Sequence, residues 1–107
     1  MSTNPPAISE ALTRLWTKFL PDIEARIATI AAAATALENG ELPSDQRQAA
    51  HAAAHKLAGS LGTFGLHRGT EVARQAELAL AEEPPSTTPA ELSAWVTELQ
   101  SLIQTRS

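Results

Sequence analysis

A chain of 107 residues, 43% of them apolar, with a formal net charge of −4 and no cysteine, has room for one domain and one core. The missing cysteine excludes a disulfide, a thiol nucleophile and a zinc–thiolate site, and the acidic balance argues against nucleic acid as the main partner. No apolar run approaches the roughly 20 residues that span a bilayer. The opening stretch MSTNPPAISE has neither the basic nor the apolar segment of a signal peptide, so a cytoplasmic protein is expected, with no membrane partner.

Every periodic stretch has the spacing of a helix and none alternates like a strand. Pro5 and Pro6 close a flexible tail over residues 1–7 and leave a domain over 8–105. Leu12, Leu15, Trp16 and Phe19 then recur at helical spacing up to Pro21, which is expected to end or kink that short helix. A second helix runs from about Pro21 to Glu38 on Ile23, Ile27, Ile30, Ala34 and Leu37, and Gly40 stops it. Ser44 is the expected N-cap of a third helix. A fourth spans about Leu66 to Glu82, and the turn EEPPSTTP leads to a last helix opened by a capping box, Thr88 with Glu91. Its buried stripe is Leu92, Trp95, Val96, Leu99, Leu102 and Ile103. The expected fold is all-α, an antiparallel four-helix bundle with an additional short N-terminal helix. One bundle buries its own stripes, so a monomer is expected.

Charge is uneven along the chain. Between Asp45 and Gln75 the bases Arg47, Lys56, Arg68 and Arg74 face only Asp45 and Glu71, while five glutamates and the single base Arg106 follow Ala76. A mildly basic middle within an acidic protein suits an acidic partner surface.

The third helix carries the stretch AAHAAAHKLAGSLGTFGL, residues 49–66. Glycine costs roughly 1 kcal/mol against alanine in a helix interior, yet Gly59 and Gly62 fall there, and Gly65 serves the turn beyond. At about 100° per residue, Leu57, Leu61 and Phe64 mark the core face with Ala50 and Ala53. His55 lies about 200° from Leu57 and points outward, on a stripe with Gln48, His51, Ala52, Ala58, Gly59 and Gly62. Missing side chains beside the imidazole let another protein come close to it, and neutral imidazole is a competent nucleophile toward phosphorus. A lone histidine on an alanine-rich helix is ordinarily a solvated one; the full register of leucine and three glycines argues otherwise. His51 and His55 stand at i, i+4, as metal ligands can, but no carboxylate joins them at helical spacing, so no metal site is expected.

The stretch HKLAG at His55–Gly59, followed by Gly62, Gly65 and Leu66, with Ala76–Glu77 further on, resembles the histidine phosphotransfer (HPt) domain of two-component phosphorelays. That family's pattern is roughly H-x-L-K-G with glycines three and six residues later. The resemblance implies a four-helix bundle in which His55 is phosphorylated, with response-regulator receiver domains and a hybrid histidine kinase as partners. The group would come from the aspartate of one receiver and go to another, with Mg²⁺ held by the receiver and no cofactor on this chain. Lys56, Gly59, Gly62 and His51 are the expected supporting residues; Arg47, Ala52, Ala58, Leu66 and Arg68 the expected partner-binding ones. The chain departs from the pattern at Ala58, where the family has lysine, and Lys56 is the basic neighbour expected to swing toward the phosphoryl oxygens. No phosphate-binding loop for ATP is present, so a phosphocarrier is expected, not an enzyme. Two alternatives remain at this point: a module that docks receivers without accepting phosphate, and the phosphorylated domain of a chemotaxis-type kinase.

Overall fold

The computed structural model describes residues 4–106. Four helices follow in order: α1 (Asn4–Glu38), α2 (Ser44–Thr63), α3 (His67–Leu80) and α4 (Pro89–Arg106). α1 packs on α2 and α4, α3 packs on the same two, and the diagonal pairs stay apart. Short connections make neighbouring helices antiparallel, as in an up-and-down bundle. Among the described residues there is no strand.

The expected short N-terminal helix is not a separate element. It is the first half of α1, which runs through Pro21 without a break. Proline removes one N–H and crowds the carbonyl four residues earlier, here that of Thr17. Both Thr17 and Pro21 are exposed, so water can take the released carbonyl. Buried Trp16 and Ile23 hold the helix on either side. Of the tail expected over 1–7, residues 1–3 lie outside the described residues and Asn4 already begins α1.

The core is built from Ile23, Ile27 and Ile30 of α1, Leu57 and Leu61 of α2, Val72 and Leu80 of α3, and Leu92 and Leu99 of α4. Between these lie buried alanines at 33, 34, 50, 53, 54, 58, 73 and 76, which let the helices approach closely. Trp16 caps one end of the bundle. Its ring meets Phe64 edge-on at 5.2 Å and takes the Arg106 guanidinium 5.0 Å from its centroid. Leu12, Leu15 and Phe19, at the same helical spacing, remain 36–43% exposed. α2 and α4 end near Trp16, beside Phe64 and Arg106, so the turns of α1 before it project past them, while Leu15 and Phe19 stand at the edge of the α1–α2 contact.

The turns follow local chemistry. Gly40 (φ +81) and Gly65 (φ +75) adopt the left-handed conformation that lets a chain leave a helix. The Leu66 N–H reaches back to the Leu61 carbonyl at 2.9 Å. Thr88 and Glu91 form the expected capping box, with Oγ1 accepting from the Glu91 N–H at 3.1 Å and Oε1 from the Thr88 N–H at 3.2 Å. Ser44 is the first residue of α2 and not its cap. Pro43 holds that position without a side-chain bond, and its carbonyl accepts the Arg47 N–H.

Leu57 is fully buried, so Leu57→Ala is expected to cost about 2–5 kcal/mol. Thr88→Ala, which removes only the cap, is expected to cost about 1 kcal/mol. Urea unfolding of the two variants checks both values and their order.

Candidate functional site

α2 presents His55 on its solvent face, at mid-helix, with 69% of the side chain exposed. The ring is not free to turn. Its Nδ1 lies 2.7 Å from Oε2 of Glu77, a residue of α3 whose side chain is only 18% exposed. An ionised carboxylate can only accept, so Nδ1 carries the proton and Nε2 keeps its lone pair. That lone pair faces outward. Glu77 follows Ala76, which is buried in the core, so the backbone of α3 places the carboxylate at the rim of the α2–α3 seam.

That seam is unusually close at its other end. A Cβ on Gly69 would stand 2.9 Å from Leu61 Cδ1, inside van der Waals contact, so a side chain there would push that buried methyl aside. Thr70 then donates its hydroxyl to the Ala58 carbonyl at 3.3 Å. Sequence reasoning missed Gly69, because one glycine in the first turn of a helix carries no spacing signal. It noted the Ala76–Glu77 pair but not its contact with His55.

The glycines on α2 differ from one another. Gly59, one turn after His55, is exposed, and a Cβ there would meet nothing within 4 Å. Gly62 is also exposed, but its Cα faces Thr70, whose Oγ1 would lie 3.4 Å from an added Cβ. Lys56 is exposed and unpaired among the described residues. His51, one turn before His55, is half-buried and is not hydrogen-bonded to it.

Several expected partner-binding residues are placed elsewhere. Ala58 is 2% exposed; three residues after His55 the helix has already turned toward α3, so this methyl is core and offers a partner nothing. Arg47 is 9% exposed. Its Nη1 donates to the Leu80 carbonyl at 2.7 Å, at the C-terminal end of α3, and Nη2 lies 3.6 Å from Glu83. It ties α2 to the α3–α4 turn and is not on a docking face. Arg68 is half-exposed but committed to Glu98 of α4 through two hydrogen bonds. Hydrogen bonding and charge from Glu98 hold the Arg68 guanidinium above its ordinary pKa, and the bond to Arg68 holds the Glu98 carboxyl below its own. Leu66 is half-buried against the core, and Ala52 alone of the five is freely exposed.

Among the described residues, no group of three or more His, Cys, Asp or Glu side chains could hold a metal ion, and no helix is long and apolar enough to cross a membrane.

A family model, the Hpt domain, matches residues 14–105, and the chain belongs to that family, whose work is histidine phosphotransfer in two-component systems. No curated protein and no solved structure matched the chain.

Because nothing lies where a Gly59 side chain would be, Gly59→Ala is expected to stabilise the fold by about 0.5–1 kcal/mol. Thermal unfolding of the variant measures it; a loss of stability would show that this glycine is needed for packing.

Proposed function

We propose that His55 accepts a phosphoryl group from the aspartyl phosphate of a receiver domain and passes it to the aspartate of another. The observation that carries this reading is the Glu77–Nδ1 contact, with Nε2 left exposed. As Nε2 attacks in line, its lone pair forms the N–P bond while the bond from phosphorus to the aspartyl oxygen breaks, releasing the carboxylate. The ring becomes cationic, and the Nδ1 proton stays shared with Glu77, whose negative charge stabilises it. Reversing the same steps delivers the group to the next receiver. Positioning and charge neutralisation dominate such transfers. Mg²⁺ belongs to the receiver's own carboxylates, and this chain acts as carrier without ATP.

The receiver would dock over α2 and the projecting part of α1. Leu15 and Phe19 form a shallow apolar groove there with Ser60, Thr63 and Phe64. Thr63 lies eight residues from His55, about 12 Å along the helix, and the bare stretch at Gly59 leaves the way between them open. Apolar surface at the groove, Lys56 beside the imidazole and Ala52 at its edge suit a partner that brings an acidic site with an apolar rim.

Incubation with a phosphorylated receiver is expected to leave an acid-labile, alkali-stable label on the wild type and none on His55→Gln. Label persisting in His55→Gln would move the site; no label on the wild type with several receivers would leave a docking module only. Glu77→Ala is expected to slow transfer about 10- to 100-fold, as losing the partner that orients an imidazole does, with the His55 ring still exposed. Phe19→Glu is expected to weaken receiver binding at least about tenfold, or 1.4 kcal/mol, with thermal stability unchanged, as titration calorimetry would register.

A further inference from the structure

The buried Ala58 leaves the phosphoryl group without a cation from α2 on the side that faces α3. α3 offers one. Thr70, Arg74 and Glu77 stand at i, i+4 and i+7, which is one stripe of a helix. Both ends of that stripe are anchored on α2: Thr70 to Ala58 and against Gly62, Glu77 to His55. These contacts fix an antiparallel register. Three residues are about 4.5 Å of helix rise, so Arg74 lies as far from Glu77 along α3 as Ala58 lies from His55 along α2, toward the same end of the bundle. Arg74 therefore stands across the seam from Ala58, at its level.

Its guanidinium is uncommitted. Arg74 is exposed and has no hydrogen bond or ion pair among the described residues. The other arginines near α2 are occupied: Arg26 donates to Ser60 on the α1 side, Arg68 binds Glu98, and Arg47 is buried at the far end. Lys56 is free, but it lies about 100° round α2 from His55, on the flank away from α3.

We propose that Arg74 supplies, from α3, the positive charge that faces the phosphoryl oxygens of phosphorylated His55, in the place a lysine at position 58 would otherwise take. The inference rests on the reading of His55 as the phosphorylated residue. Guanidinium presents several N–H donors in a plane that matches phosphate oxygens, and Glu77 directly behind the ring keeps the proton on Nδ1 while Arg74 meets the group on Nε2.

Phosphoramidate tests both levels without a receiver. In the step, its P–N bond breaks, ammonia leaves, and the His55 Nε2–P bond forms. Loading and hydrolysis of wild type, Arg74→Gln, Arg74→Lys and Lys56→Gln are followed by ³¹P NMR, and the phosphohistidine resonance is titrated with pH. Besides Arg74, the charged or titratable groups around the site are Glu77, Lys56, His51 and Glu71. Arg74→Gln is expected to load about tenfold more slowly and to titrate its phosphoryl group at higher pH, since a nearby cation favours the dianion. Arg74→Lys is expected to recover most of both effects, and Lys56→Gln to change both less than Arg74→Gln does. Equal behaviour of Arg74→Gln and wild type, or a defect found in Lys56→Gln alone, overturns the assignment to Arg74 while leaving His55 in place. A wild type that takes no label from phosphoramidate or from phosphorylated receivers sinks the His55 reading itself, and this proposal with it.

Discussion

The closeness of α2 and α3 is the constraint on which the site depends. A carboxylate on one helix reaches an imidazole on the next at 2.7 Å, between helices whose buried faces are rich in small residues, Ala58 on α2 and Gly69, Ala73 and Ala76 on α3. A larger side chain in that seam would draw Glu77 away from Nδ1. The small residues that give the core less apolar area are therefore what brings Glu77 within reach of the imidazole. Each gives up apolar area, at roughly 25 cal/mol per Å², and the fully buried isoleucines and leucines on the inner faces supply what the alanines do not.

The same seam explains how charge is divided. A lysine at position 58 would have to run its stem out past α3 to present an ammonium, whereas the alanine there packs wholly in the core, so packing and electrostatics compete for one position. In this chain packing has won. Basic groups sit around the bundle in three different settings: Arg47 buried as a tie to the end of α3, Arg68 spent on an exposed pair with Glu98, and Lys56 and Arg74 left open on either flank of His55. Exposed pairs such as Arg68–Glu98 contribute little to stability. Arg47 differs because a guanidinium removed from water needs its carbonyl partner.

Much of this was legible beforehand. The isoleucine stripe of α1, the capping box at Thr88 and the outward direction of His55 follow from spacing and from one-turn hydrogen-bond chemistry, which need no knowledge of neighbours. Gly65 announced a turn for the same reason. What could not be read depended on a second helix. Ala58 was placed on the solvent side because its wheel position lies only 60° from His55; α3 covers that flank, and nothing in the stretch says so. Arg47 looks like any surface arginine until the end of α3 is brought beside it. Pro21 was weighed by its local cost, whereas the buried side chains before and after it decide that α1 continues.

α1 joins two unlike environments in one helix. From Ile23 onward buried isoleucines tie the helix to the core, so its amides are expected to open with much of the bundle, whereas the first turns project beyond the ends of α2 and α4 and are expected to open by local fraying. Hydrogen exchange along this single element is therefore expected to run from strong protection to weak. Substitutions at the loosely held end therefore come at almost no expense to the folded body that carries the histidine.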